Sequence, residues 1–229
     1  MDFSGRHVVV TGGTGALGSA VVRKLLGAGA SCTVPYVIDA EAQQFEHAGA
    51  RNVRLVKVPD LSDEASVTEV YQDVTPWASI HIAGGFAMGN VAKTDKAALM
   101  AQLDNNLVCC FLCCRAAVNA MRGGGRIVNV AARPALEWRS GAGMTAYTVA
   151  KAGVAALTVA LAEEVAKDGI LVNAVAPSIM DTLANRAAMP KADFAAWPKV
   201  EEVAATILFL ASPGNAVTRG AIVPVYGKS

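Results

Sequence analysis

The residues Thr11-Gly12-Gly13-Thr14-Gly15-Ala16-Leu17-Gly18 join two segments of different character, a short apolar run at His7–Thr11 and a helix-like run at residues 19–26. The order of a buried strand, a glycine-rich turn and a helix N-terminus makes a cradle for a phosphate group. Glycines let the backbone come close to the anion, and the free N–H groups and the helix dipole attract it. The place of these glycines near the start of the chain strengthens a signal that is weak alone.

The composition predicts one globular domain covering residues 1–229, because the chain is 53% hydrophobic and 17% charged. The formal net charge of +1 indicates no nucleic-acid partner. No run of 18 apolar residues occurs, and the longest candidate stops at Arg115, so we expect no membrane-spanning helix. The first residues show no basic and apolar leader, and the cytoplasm is the expected location.

Five cysteines are present, and four of them form the pattern C-C-x-x-C-C. These four, Cys109, Cys110, Cys113 and Cys114, lie in an apolar helical run, while Cys32 stands apart. No His or Asp cluster accompanies them in the sequence. We therefore expect small buried thiols in a reducing compartment and no metal, with a metal site as the alternative.

Strand-like and helix-like segments alternate about seven times along the chain. After His7–Thr11, the predicted strands are residues 31–37, 53–58, 79–83, 126–130, 170–175 and 221–226. This alternation predicts an α/β fold, a doubly wound parallel sheet of the Rossmann type with helices on both faces. Ligands of such sheets bind beyond the carboxyl ends of the strands, so the loops that follow each strand should gather at one rim.

Those loops carry the candidate cofactor positions. Tyr36 stands where this fold usually places an acid for the ribose of NAD or an arginine for the phosphate of NADP, so the preference stays open. Asp60 could reach an adenine amino group; alternatively, Asp60 or Ser62 caps the helix that begins near Asp63. Gly84 and Gly85 would let a ribose lie against the backbone. The irregular residues 178–198 are long enough to form a substrate lid.

Two asparagines, Asn105 and Asn106, lie in the middle of a long predicted helix at residues 96–121. Asparagine competes for backbone hydrogen bonds and is a poor choice inside a helix. The pair therefore indicates a local distortion or a polar role.

Tyr147 and Lys151 are four residues apart in a predicted helix, so the phenol and the ammonium group should share one face. The reference pKa of a phenol is about 10, and a nearby positive charge lowers it. The pair is a candidate proton donor and acceptor for a carbonyl or alcohol. By itself the spacing usually marks two unrelated solvated side chains.

In these motifs the chain resembles the short-chain dehydrogenase/reductase family over essentially its whole length. The resemblance implies a nicotinamide dinucleotide, NAD or NADP, and hydride transfer to or from a small molecule. It implies that Tyr147 donates the proton, that Lys151 holds the nicotinamide ribose and depresses the pKa of Tyr147, and that Asn106 orders a water. The cofactor positions it implies are Gly12, Thr14, Gly15, Ala16, Leu17, Gly18, Tyr36, Asp60, Leu61, Ala83, Gly84, Gly85, Lys151, Pro177, Ile179 and Thr182, the last at the nicotinamide carboxamide.

Four departures from the family pattern stand out. Ala16 replaces a glycine of the shorter members, and the usual Asn-Asn-Ala-Gly reads His81-Ile82-Ala83-Gly84. Ser178 replaces the glycine after Pro177. The serine that normally hydrogen-bonds the substrate carbonyl falls on Ala132. Ser140 could replace it, but it lies only seven residues before Tyr147 and fits a loop residue better.

The second half is similar to the dihydropteridine reductase branch of that family. The matching residues are Gly84-Gly85-Phe86-Ala87, Gly89-Asn90, Gly143-Met144, Tyr147, Ala150-Lys151 and a run from Asp181 to Trp197. That branch also has a small residue at the serine position, and its substrate is a quinonoid ring.

We therefore expect a reductase for a carbonyl or quinonoid small molecule, with a dihydropteridine reductase-like enzyme as the alternative. A further alternative is a dinucleotide sensor without catalysis, which is suggested by alanine at position 132 in place of the usual serine. The resemblance also implies a homodimer or homotetramer, packed through the two long helices beside the active site.

Overall fold

A computed structural model describes all residues, Met1–Ser229, and shows one parallel sheet of seven strands. The strands are β1 (His7–Thr11), β2 (Ser31–Tyr36), β3 (Val53–Lys57), β4 (Ala78–His81), β5 (Gly125–Val130), β6 (Ile170–Pro177) and β7 (Ile222–Val225). Their order in the sheet is β3-β2-β1-β4-β5-β6-β7. The predicted doubly wound architecture is confirmed. The order reverses beside β1, because Val9 pairs with Thr33 of β2 on one side and with Ser79 of β4 on the other.

Helices cover both faces of the sheet. The α-helices are α1 (Ala16–Gly27), α2 (Asp39–Gln44), α3 (Glu64–Tyr71), α4 (Lys96–Leu103), α5 (Cys109–Ala120), α6 (Arg133–Leu136), α7 (Thr145–Glu164), α8 (Leu183–Ala188) and α9 (Val200–Ala211). Strand β1 shows why the apolar runs are continuous rather than alternating. Val8 and Val10 point into the core beneath α1 and α9, while Val9 points into the opposite core beneath α5 and α7.

The long helix predicted at residues 96–121 is interrupted at its asparagines. A π-helical turn, Asp104–Val108, separates α4 from α5. Within it the Asn106 amide donates to the carbonyl oxygens of Gln102 (3.0 Å) and Gly85 (2.9 Å). The predicted distortion is therefore confirmed, and it holds the segment after β4 against the helix.

The segment at residues 178–198 is more ordered than the sequence suggested. It contains α8 and a short 3₁₀ turn, Phe194–Ala196. Its ends are joined where the Asp181 amide donates to the Pro198 carbonyl (2.9 Å). The segment is thus a closed loop with its own internal helix.

Two helical stretches, Lys96–Ala120 and Thr145–Glu164, are long and apolar enough to cross a membrane by length and composition. Both lie against the sheet, through α5 on β4 and α7 on β6. Core helices of this kind pass the same test, so it is weak support for a membrane span.

Candidate active site

The glycine-rich turn packs against the end of β4. Gly12 has a positive φ of 67°, and a β-carbon there would lie 2.7 Å from the Ala83 amide nitrogen. A β-carbon on Gly18 would overlap the carbonyl oxygen of Gly12. In contrast, a β-carbon on Gly15 would meet only that oxygen, at 3.5 Å. Protein packing therefore requires glycine at positions 12 and 18, whereas at position 15 it leaves open space before the exposed N-terminus of α1.

Two alanine substitutions should distinguish a glycine needed for protein packing from a glycine needed for phosphate binding. Gly15→Ala should keep the stability of the protein within about 1 kcal/mol, because its φ of −77° suits alanine. It should still weaken cofactor binding about tenfold or more, since the methyl group occupies the approach of the phosphates. Gly18→Ala should lower the free energy of unfolding by about 1–3 kcal/mol and weaken binding as well. Thermal unfolding measures the stability of each variant, and cofactor titration measures its affinity. If Gly15→Ala bound the cofactor as tightly as the wild type, the phosphates would not lie at this turn.

The other residues predicted to contact the cofactor near this turn differ in burial and in hydrogen bonding. Ala16 is exposed, but the Leu17 side chain lies in the core beneath α1, so only its backbone faces the cradle. The Thr14 hydroxyl donates to Glu41 (3.0 Å). Tyr36 is half-buried at the end of β2, beside an ion pair between Lys57 and Asp39 (2.6 Å). A carboxylate and an ammonium group are both present beside Tyr36 and are paired with each other, so the charge at this position selects neither NAD nor NADP.

Asp60 is exposed and bonds to the Ser62 amide (2.8 Å) and hydroxyl (2.6 Å). It does not cap α3, because Asp63 accepts the hydrogen bond from the Ser66 amide. The proposed capping by Asp60 or Ser62 is therefore wrong. Leu61 is buried in the core beneath α5 and can offer only its backbone.

The loop after β4 brings Gly84 beside Asn106 and Lys151. A β-carbon on Gly84 would lie 2.7 Å from Asn106 Oδ1 and 3.3 Å from Lys151 Nζ, so both polar atoms face the same point. Asn106 Oδ1 is buried and has no hydrogen-bond partner in the protein. A buried acceptor without a partner is costly, and this one is suited to a ribose hydroxyl or an ordered water. Gly85 lies against Asn105, and Ala83 packs on the core.

Tyr147 and Lys151 share one face of α7, as predicted. Lys151 Nζ lies 5.9 Å from the centre of the Tyr147 ring. The lysine is buried and donates to the Val130 carbonyl at the end of β5 (2.8 Å). Tyr147 is half-buried and makes an edge contact with Phe86, with ring centres 5.0 Å apart.

The expected lowering of the Tyr147 pKa is wrong. Burial raises the pKa of Tyr147 to about 12. Burial also lowers the pKa of Lys151, whose ammonium group points at the Val130 carbonyl. The phenol is therefore protonated at neutral pH and ready to donate a proton.

No hydroxyl replaces the serine at Ala132. The Ala132 side chain is buried, and Ser140 is exposed with its hydroxyl donated to the Glu137 carbonyl (2.8 Å). Ser178 donates to the carbonyl of Tyr226 (2.9 Å), so it serves the C-terminal segment.

The residues after β6 that were predicted to contact the cofactor differ in exposure and in role. Pro177 is the last residue of β6 and is buried, whereas Ile179 is 45% exposed. The Thr182 hydroxyl accepts from the Asn185 amide (3.2 Å) and caps α8. Thr182 thus has a structural role besides the cofactor contact that the resemblance implies.

Sequence reasoning missed a histidine beside the cysteines. All five cysteines are free and buried, as expected, but His81 lies beside Cys110 and Cys114. The sequence shows no His or Asp cluster near these cysteines, but β4 and α5 bring one distant histidine beside two of them. The one sequence signal was His81 itself, which replaces an asparagine of the family pattern.

Comparisons with known proteins agree with this geometry. A family model described as enoyl-(acyl carrier protein) reductase matches residues 13–227. The 2,3-dihydroxy-2,3-dihydro-p-cumate dehydrogenase of Pseudomonas putida is 30% identical, over 100% of this chain and 96% of that protein. Galactitol 2-dehydrogenase of Rhizobium johnstonii is 34% identical, over 97% and 94%. A solved structure described as a blue fluorescent protein from a metagenomic library in complex with NADPH has a TM-score of 0.88, with 27% identity over 100% and 99% of the two chains.

The chain therefore belongs to the short-chain dehydrogenase/reductase family and is an NAD(P)-dependent oxidoreductase. Its residues fit the cofactor. The turn at Gly12 to Gly18 offers a cradle that a β-carbon at position 15 would fill, and the unpartnered Asn106 Oδ1 faces the place of a ribose or water.

Proposed function

We propose that the protein reduces a carbonyl or quinonoid group of a small molecule, with Tyr147 as the proton donor. The observation that carries this proposal is geometric: the half-buried phenol of Tyr147 shares a face of α7 with the buried ammonium group of Lys151, whose Nζ lies 5.9 Å from the ring centre. When bound, the nicotinamide cofactor supplies the hydride. The protein supplies the proton at the Tyr147 hydroxyl and a position for the substrate above it.

Lys151 has two tasks in this proposal. Its ammonium group would hold the nicotinamide ribose, and its charge would stabilise negative charge that develops on the Tyr147 oxygen after proton transfer. Asn106 would hold a ribose hydroxyl or a water at the point that it shares with Lys151 and Gly84. Gly12, Thr14, Gly15, Ala16, Leu17, Gly18, Tyr36, Asp60, Leu61, Ala83, Gly85, Pro177, Ile179 and Thr182 remain our proposed cofactor contacts.

The rim around Tyr147 favours an apolar, cyclic substrate. Large apolar side chains are exposed on the loops and short helices that follow the carboxyl ends of β4, β5 and β6. They are Phe86, Met88, Leu136, Trp138, Ile179 and Leu183. Carboxyl ends of parallel strands meet at one edge, so these side chains face the same region. Exposed aromatic and aliphatic groups bind apolar rings well.

Residues 178–198 would close over that substrate as a lid. Arg186 makes a two-point ion pair with Asp181 (2.6 and 2.8 Å) and stacks on Phe194. These contacts lie inside the segment, while its joined ends offer two hinge points. Closure would move residues 181–195, because Ser178 and Ala196 are held to the C-terminal segment by the Tyr226 carbonyl (2.9 Å) and the Lys228 amide (2.8 Å).

A cofactor titration followed by a substrate panel tests the proposal. NADH and NADPH are titrated first, and turnover is then followed by the loss of reduced-nicotinamide absorbance with cyclic ketones and quinonoid rings. Turnover of either class, with a proton taken up for each hydride transferred, supports the proposal. Tight cofactor binding without turnover of any member would favour a dinucleotide sensor instead.

Ala132 favours one narrower alternative, a dihydropteridine reductase-like activity. Without a serine, the substrate oxygen lacks a second hydroxyl donor, which weakens stabilisation of developing charge on a simple ketone. A quinonoid ring gains aromatic stability on reduction and needs less help. Faster turnover of quinonoid dihydropterins than of cyclic ketones would support this reading.

We further propose that residues 1–229 form a single domain that acts in the cytoplasm as a homodimer or homotetramer. The outer faces of α5 and α7 carry exposed apolar residues, including Phe111, Val149 and Val159. Such faces are commonly covered by a second copy. Light scattering of the purified protein measures the state directly.

A further inference from the structure

A second polar cluster lies in the core between β4 and α5, apart from Tyr147. Cys110 and Cys114 are one turn apart on α5, and His81 ends β4. The coordinating atoms of these three side chains lie within 4.8 Å of one another, and His81 Nδ1 is 3.4 Å from Cys114 Sγ. All three residues are at most 4% exposed.

A fourth donor atom faces the same point from β5. Asn129 Oδ1 lies 2.8 Å from His81 Nδ1 and 3.5 Å from Cys114 Sγ. The amide nitrogen of Asn129 donates to the Thr158 hydroxyl (2.9 Å), which turns the oxygen toward the thiols. Asn129 Oδ1 therefore lies beside His81 Nδ1 and Cys114 Sγ, two members of the group that includes Cys110.

The far side of the imidazole is already supported. His81 Nε2 faces the hydroxyl groups of Ser79 (2.8 Å) and Tyr71 (3.3 Å). Because an amide oxygen only accepts, the 2.8 Å contact with Asn129 Oδ1 places the ring proton on Nδ1. Ion binding at Nδ1 would move that proton to Nε2, where the Ser79 or Tyr71 hydroxyl can accept it. Histidines that bind metals usually have such a partner on the other nitrogen.

We propose that His81, Cys110, Cys114 and Asn129 form a binding site for a thiophilic divalent cation of the zinc or cadmium type. Metal–sulfur and metal–nitrogen distances of about 2.3 and 2.0–2.1 Å would place the two atoms about 3.5 Å apart in a tetrahedron. The His81–Cys114 distance of 3.4 Å already matches that edge. Thiolate ligands select against magnesium and calcium, which prefer oxygen.

Charge balance also fits a divalent ion. On binding, each thiol releases its proton to solvent, so two protons leave for one ion and no oxidant or reductant is needed. The resulting complex is neutral, which matters because a net charge buried among apolar residues is costly. The ion would tie α5 to β4 and β5, and the loops after those strands carry Gly84 and Ala132.

Titration of the full-length, reduced, chelator-treated protein with Cd²⁺ tests the site. The wild type should take up one ion per chain, with cadmium–thiolate charge-transfer absorption and a higher Tm at excess ion. Cys110→Ala/Cys114→Ala should lose that absorption and the Tm shift. The matched control is Cys109→Ala/Cys113→Ala, which removes the same two side-chain types from the same helix and should keep both signals.

His81→Asn provides an independent arm if the double cysteine variant folds poorly. It installs the residue that the family pattern has at this position, so the fold should accept it, and binding should weaken about tenfold or more. The proposal is overturned if the wild type binds no cadmium at stoichiometric concentration. It is equally overturned if the control pair, rather than Cys110 and Cys114, abolishes the signal, or if His81→Asn binds as the wild type does.

Discussion

Tyr147→Phe should lower kcat by about 10²–10⁴-fold, the usual contribution of a positioned general acid. Phenylalanine keeps the ring and its edge contact with Phe86, so only the proton donor is lost. Cofactor affinity should change little, because the phosphate cradle and Lys151 remain. Single-turnover kinetics with reduced cofactor, together with a binding titration, measure both quantities.

The pH dependence of this variant provides a second test. Burial raises the folded-state pKa of Tyr147 to about 12, above the reference value of about 10. The neutral phenol therefore contributes stability below about pH 10, and this share is lost as the pH rises toward 12. The Tyr147→Phe variant should not show that loss of stability at alkaline pH. Undiminished turnover in the variant would remove Tyr147 from the chemistry, whatever its effect on stability.

Much of the fold could be predicted because its signals are local. The apolar run at His7–Thr11 and the glycine turn after it are legible within about ten residues, and β1 has the predicted bounds. The asparagine pair likewise marked the distortion at Asp104–Val108, because side-chain competition for backbone bonds acts over one helical turn.

What could not be predicted depends on contacts between distant segments. The raised pKa of Tyr147 comes from burial, which no spacing between Tyr147 and Lys151 reports. His81 meets Cys110 and Cys114 only because β4 packs beneath α5. Local pattern therefore locates the elements, and packing decides the chemistry of the side chains between them.

Lys151→Met should make the protein more stable and far less active. Turnover should fall by about 10²–10³-fold, as for the loss of one group that stabilises developing charge. Moving an ammonium group out of water costs several kcal/mol even after relaxation, while one hydrogen bond to a charged group returns about 1.5–3 kcal/mol. The Val130 carbonyl is the only hydrogen-bond acceptor that we find for Lys151, so desolvation should dominate.

The expected gain in stability follows from the lowered pKa of Lys151, whose main cause is burial. A lowered folded-state pKa means that the wild type is destabilised at neutral pH and gains stability as the pH rises toward the unfolded value of about 10.4. Methionine removes both the cost and that pH dependence. A gain of about 1 kcal/mol would raise Tm by about 2–4 °C for a chain of this size.

The matched control is Lys167→Met, which removes the charge of an exposed lysine just after the same helix. It should leave Tm within about 1 °C and kcat near the wild-type value, since exposed charges contribute little. A lower Tm in Lys151→Met would mean that the bond to Val130 outweighs desolvation. Full turnover in Lys151→Met would mean that the chemistry at Tyr147 proceeds without the cation, and that Lys151 is buried for packing alone.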